Sequence, residues 1–216
     1  MTISYRIDPD KEQLSEVVSL FEFLGGNMRD AQRIAINKAG PKIKTLSSRR
    51  IREQVRLSVK YVNERIKFFR ASRASLNARI SMPSRGMLLS RFSTDVMISG
   101  DKVGWLKPPP VPDRGIRVKV KPQGPVKVLG GDSEIDGRPF YMVLKNTAGR
   151  VGIAGRRKIP GKRGGKIKVF YGPSMSQVFA GARGVKQGVL PEAGEELTYQ
   201  MADAIRYLLR KQLPSE

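Results

Sequence analysis

Positive charge runs through the same segments that must supply the core, and this limits how the chain can fold. Of 216 residues, 41 are Lys or Arg and 19 are Asp or Glu, a formal charge of +22. The excess is not held in a tail. Residues 28–91 carry 17 basic side chains against Asp30, Glu53 and Glu64, and residues 102–186 carry 19 against Asp113, Asp132, Glu134 and Asp136. The flanks are mildly acidic, with a net charge of −3 over 1–24 and −2 over 187–216. Apolar residues make up 39%, enough for a core but not a generous one. Elements built this way must bury narrow apolar stripes beneath densely basic surfaces. The free monomer pays in self-repulsion, which an anionic surface would relieve, whether nucleic acid, acidic protein or anionic membrane.

The chain contains no Cys and no His. The first absence excludes a disulfide framework, a thiolate nucleophile and a Cys-based zinc site. The second removes the commonest metal ligand and the commonest general base near neutral pH. Catalysis would have to run on carboxylates, Lys or Tyr, so no enzymatic activity and no cofactor are expected. The N-terminal Met-Thr-Ile-Ser-Tyr-Arg-Ile-Asp-Pro-Asp lacks the pattern of a secretory signal. No run of eighteen apolar residues occurs, so no membrane helix is indicated and cytoplasmic synthesis is expected.

Periodicity predicts helices first. Leu14, Val17, Val18, Phe21 and Leu24 recur at helical spacing after the cap candidate Asp10, and Gly25-Gly26 should stop that helix. A second helix is predicted over 29–39, which Gly40-Pro41 should break or kink. Helix resumes over 43–57 and again over 60–70, where Val62, Ile66 and Phe69 form one face. Residues 77–82 alternate as a short strand. Gly115-Ile-Arg-Val-Lys-Val-Lys121 is the clearest strand, with Ile116, Val118 and Val120 on one face. Weaker strands are predicted over 126–129, 140–144, 151–154 and 167–170, then a short helix over 175–180 behind Ser174. A closing helix over 191–213 should start at Pro191 and bury Leu197, Met201, Ala204, Ile205 and Leu208 against the sheet. The expected class is α+β: a helical basic N-terminal half, a mostly antiparallel sheet and a closing C-terminal helix. The predicted organisation is an N-terminal helix or arm over 1–26 and one domain over 27–216. That domain is helical over 27–75, strand-rich over 76–172 and helical over 173–216.

Chemical motifs are sparse. Gly155-Arg-Arg-Lys-Ile-Pro-Gly-Lys-Arg-Gly-Gly-Lys166 is not a phosphate-binding loop. Five residues separate Gly155 from Gly161, and Arg163 stands where a metal-binding hydroxyl belongs. Asp132, Glu134 and Asp136 alternate, but the segment lies between Gly130-Gly131 and Gly137 and reads as a solvated turn. Ser47, Ser48 and Ser58 lie near basic residues without an oxyanion arrangement or nucleophile elbow. The basic Gly-rich loop is the candidate partner-binding site, through Arg156, Arg157, Lys158, Lys162, Arg163 and Lys166. Four Gly and one Pro should make it project between two strands.

Several segments, in order, carry a family resemblance. They are Ala35-Ile-Asn-Lys-Ala39 leading into Arg49-Arg-Ile-Arg-Glu-Gln-Val55, then Phe69-Arg-Ala-Ser-Arg-Ala-Ser-Leu-Asn-Ala-Arg-Ile80, and late in the chain Val169-Phe-Tyr-Gly-Pro-Ser-Met-Ser-Gln-Val-Phe179. This set resembles the minor tail protein Z family of tailed phages. The resemblance implies a non-enzymatic tail completion or neck component at the head-proximal end of the tail, located in the virion after assembly in the host cytoplasm. The implied partners are other tail and neck proteins, such as the tail terminator and head completion protein. A homo-oligomeric ring, a hexamer, is also implied, and the charge permits nonspecific contact with packaged DNA. The competing class is a nonspecific nucleic-acid-binding protein of ribosomal or nucleoid type.

Overall fold

One long helix, α1 (Lys11–Gln54), occupies the stretch in which the glycines and Pro41 predict three. The computed structural model describes residues 11–98, 103–130, 135–160, 165–181 and 185–212, with side chains except at 11–24, 26 and 212. Neither Gly25-Gly26 nor Gly40-Pro41 ends α1. A glycine inside a helix costs about 1 kcal/mol relative to alanine, which tertiary packing can override. Gly40 has a local reason to be glycine, because a Cβ there would collide with the ring of Phe68. Pro41 lacks the N–H that would bond the carbonyl four residues back, yet the helix continues through it to Gln54.

The short helix α2 (Val59–Arg65) starts at Ser58, whose Oγ accepts the Tyr61 N–H. It ends at Ile66, where the backbone becomes extended and enters β1 (Lys67–Phe69). The single helix predicted over 60–70 is therefore helix and then strand. Val62 and Ile66 are buried as expected, but Phe69 is exposed. The adjacent Phe68 and Phe69 suit extended backbone, and β1 pairs with β2 (Arg79–Ser81).

Strand β3 (Ile116–Val118) pairs antiparallel with β4 (Lys127–Leu129), burying Ile116 and Val118 and exposing Arg117 as the alternation predicts. A three-stranded antiparallel sheet follows in the order β5 (Ile135–Leu144), β6 (Arg150–Arg157), β7 (Ile167–Val169). β5 begins five residues before the predicted strand. Its register shifts between Asp136 and Phe140, where Gly137 takes a φ of 74° that a side chain would resist. Asp136 is thus a strand residue and not part of a turn, while Asp132 and Glu134 lie outside the described residues.

Ser174 caps α3 (Met175–Ala180) in a reciprocal box with Gln177. The last helix, α4 (Val185–Gln212), starts six residues before Pro191, which sits inside it and not in its first turn. Val185 and Val189 on that added length are buried, and their burial offsets the missing proline hydrogen bond. The architecture is α+β, with an N-terminal helix, antiparallel sheets and a C-terminal helix.

Contacts divide the chain into two compact units. Unit 1 comprises Met1–Lys42, Phe68–Arg79 and Glu192–Glu216; unit 2 comprises Ile43–Lys67 and Ile80–Pro191. Unit 2 holds the larger core, in which Ile51, Ile66, Phe92, Ile116, Ile153 and Met175 are fully enclosed. In unit 1, Ala31 and Ala35 of α1 meet Ala204 of α4, edged by Ile34, Met201, Ile205 and Leu208. The C-terminal stripe, predicted to bury against the sheet, packs on α1 within unit 1, and Leu197 is 40% exposed.

Ion pairs edge this contact in unit 1. Lys38 Nζ lies 2.8 Å from Asp203, and Lys42 Nζ lies 2.7 Å from Glu196. Hydrogen bonds from Lys38 and from Lys42 hold the Asp203 and Glu196 carboxyls below their ordinary range. Asp30 is likewise lowered, first by its hydrogen bond from Arg33 and then by the charge of Arg73. The Asn37 amide exchanges two 2.9 Å hydrogen bonds with the backbone of Ala71, tying the 68–79 segment to α1.

Candidate functional site

The basic Gly-rich stretch forms the connection between β6 and β7. β6 extends to Arg157, so Arg156 and Arg157 are strand residues and the loop is shorter than the sequence suggests. The Arg157 N–H donates to the Lys166 carbonyl at 2.9 Å, and Arg156 pairs with Ile167. Arg156, Arg157, Lys158 and Lys166 are thereby brought together, all exposed, at the end of the three-stranded sheet. Lys162 and Arg163 lie outside the described residues.

The glycines here are not simple slack. A Cβ on Gly155 would press on Ile135 at 2.8 Å and Phe170 at 3.0 Å, and one on Gly165 would collide with the Arg157 carbonyl. They narrow the neck of the hairpin while its basic side chains face outward. Among the described residues an acidic one stands nearby that the loop sequence does not show: Asp136, in cross-strand register with Arg156. The patch is therefore basic but not free of acidic neighbours.

A second group of basic residues was not legible in the sequence. In unit 2, a cleft of about 290 Å³ is lined by Arg65, Arg85, Arg91 and Arg150 together with Tyr61 and Tyr171. Pro83, Met87, Leu88 and Met175 give it an apolar part, and no Asp or Glu is among its described lining residues. The fold places each wall by a specific device. Arg65 ends α2, Arg91 lies in the 3₁₀ turn Leu89–Phe92, and Arg150 opens β6. The 86–89 and 170–172 segments are joined by backbone hydrogen bonds, Gly172 N–H to Met87 at 2.7 Å and Leu89 N–H to Phe170 at 3.0 Å. Gly86 allows this approach, since a Cβ there would lie 2.9 Å from the Gly172 carbonyl oxygen.

Aromatic rings order the guanidinium groups. Those of Arg65 and Arg91 each lie 3.9 Å from the centroid of Tyr61, which is 5% exposed. Arg85 sits 5.8 Å from the Tyr171 ring centroid, and its Nη2 is 3.4 Å from that hydroxyl. Such an arrangement can bind an anion, because guanidinium presents paired N–H donors to a carboxylate or phosphate. Among the described residues no cluster of three or more acidic side chains that could hold a metal ion occurs. No described helix is long and apolar enough to cross a membrane.

Searches of curated proteins and of solved structures find no match to the chain. A family model does match: prophage minor tail protein Z, over residues 14–214. The matched span includes the acidic stretch from residue 14 and the Pro108–Pro112 segment, neither of which carries the resemblance seen in the sequence. It also takes in both units and both basic sites. With 14–214 of 216 residues covered, the chain belongs to the prophage minor tail protein Z family and is a phage minor tail protein.

Proposed function

We propose that this chain is a tail completion or neck component, a non-enzymatic structural part that joins the tail to the head by protein–protein contacts. The observation that carries the proposal is the family match across almost the whole chain. The absence of His and Cys fits a part that assembles and does no chemistry. Its partners are the neighbouring tail and neck proteins, such as the tail terminator and the head completion protein. The chain repeats as a ring, a hexamer, around the tail axis. A charge of +22 supports repeated contact with acidic neighbours and leaves room for nonspecific contact with packaged DNA.

The experiment is to interrupt the gene in an intact phage and examine the products. Filled heads accumulating beside unjoined tails support the proposal. Joined, infectious particles made without the chain contradict it. Salt-sensitive binding to free DNA or RNA with no virion association would favour a nucleoid or ribosomal role instead. The β6–β7 patch is assigned a share of the partner contact. Replacing Arg156, Arg157, Lys158 and Lys166 together by Ser should leave folding intact, because exposed charges contribute little to stability. It should reduce incorporation into particles, with the largest difference from the parent chain at low salt and a smaller one once high salt has screened the contacts. Normal yields of infectious particles would remove the patch from the interface.

A further inference from the structure

We propose that the arginine-lined cleft of unit 2 is a receptor for an acidic peptide segment of a partner protein, one in which carboxylates alternate with aliphatic side chains. The proposal rests on the tail assignment only in taking the partner to be a protein; the rest comes from the cleft itself. Arg65, Arg85, Arg91 and Arg150 converge on one concavity with no Asp or Glu among its described lining residues. Arg65 and Arg91 are held on the Tyr61 ring and Arg85 at the Tyr171 hydroxyl, so part of the ordering that binding requires is already done. Bidentate pairing to a carboxylate is the interaction this arrangement is built to make.

The remaining lining separates a peptide from nucleic acid. Half-buried Pro83 and Leu88, over the buried floor of Met87 and Met175, offer apolar contact that a phosphate backbone cannot use and an aliphatic side chain can. Single-strand binders stack successive bases on exposed aromatic faces. Tyr61 is buried beneath two guanidinium groups, which leaves Tyr171 as the one exposed ring in the cleft. A volume of about 290 Å³ suits one or two side chains and is far too narrow to admit a duplex.

The test uses the full chain and a fluorescent heptapeptide of alternating Leu and Glu. Probes for comparison are the same peptide with Gln for Glu, decathymidylate and inorganic phosphate. At physiological salt the acidic peptide should bind about tenfold or more tightly than its Gln counterpart, as charge-assisted pairs require. Arg85 is exposed, so Arg85→Glu should fold, and it should weaken the acidic peptide about tenfold or more. Lys127→Ser with Lys186→Ser makes the same change in net charge at two exposed positions of unit 2 and should alter binding less than about twofold. If Arg85→Glu fails to fold, Tyr171→Glu at the exposed ring replaces it, with the same expected loss.

Equal weakening by the cleft and control variants would overturn the proposal in favour of bulk charge. Decathymidylate binding more tightly than the peptide, and lost in the same cleft variant, would make this a nucleic-acid site. No binding of the peptide would leave no receptor. None of these results depends on where the chain sits in a particle, so the tail assignment stands or falls separately.

Discussion

Unit 2 buries Phe92, Ile51, Ile66, Ile116 and Ile153 in one continuous core, whereas the described helix contact of unit 1 is Ala31 and Ala35 against Ala204. The first is held by apolar volume. The second is a contact of three alanines edged by Ile34, Met201, Ile205 and Leu208, with Lys38–Asp203 and Lys42–Glu196 pairs along it. A basic chain with a modest apolar fraction can therefore stabilise itself in two ways within 216 residues. It concentrates large side chains in one unit and uses small ones, with salt-sensitive pairing, in the other. The difference predicts that the units respond to different perturbations.

Cutting volume from unit 2 should have the strongest effect. Phe92→Ala removes a side chain that is 0% exposed and should lower the unfolding free energy by about 3–5 kcal/mol, measured by urea denaturation. Adding volume to unit 1 comes next. Ala204→Leu inserts a branched side chain where none fits and should destabilise by about 1–3 kcal/mol, with hydrogen exchange rising in 31–39 and 200–208. A large loss from Ala204→Leu beside a small one from Phe92→Ala would reverse the comparison.

Two glycines of α1 separate local propensity from packing. Gly25 has nothing within 4 Å of an added Cβ, so Gly25→Ala should raise the melting temperature, by up to about 1 kcal/mol in stability. Gly40→Ala should lower it, because the new methyl meets the Phe68 ring. The smallest effect is titration of unit 1. The Asp30, Glu196 and Asp203 carboxyls titrate below their ordinary range in the folded chain. Their contribution is complete above the unfolded values of about 4 and is lost as pH falls through the lower folded values. Thermal melts at pH 7 and pH 3, with and without 1 M salt, should show unit 1 loosening in acid, and less so once salt has already screened the pairs.

Of the strand predicted over 115–121, Ile116–Val118 forms, legible because one buried face writes alternation into the sequence; the strands near 140, 151 and 167 were read from short apolar runs, and β6 buries 151–155 without alternation. Ser174 announced α3 for an equally local reason, and Gln177 completes its capping box in the structure. The run of α1 through Gly25-Gly26 and Gly40-Pro41, and of α4 through Pro191, was not legible. Local punctuation there is overridden by contacts from distant residues, such as Phe68 on Gly40. The same limit applies to the sites. The β6–β7 patch could be read from six basic residues within twelve, whereas Arg65, Arg85, Arg91 and Arg150 are spread over 86 positions and meet only in the fold. No spacing rule would have grouped them. The one local signal was the recurrence of Arg near Tyr61 and near Tyr171, among many other basic residues.

Locating the chain in intact particles by cryo-electron microscopy with a tagged copy tests its proposed place at the tail–head junction. The expected result is density for a ring of copies at the head-proximal end of the tail, in contact with neighbouring tail and neck proteins. Absence of the chain from complete particles, or its distribution along the packaged genome, would contradict it.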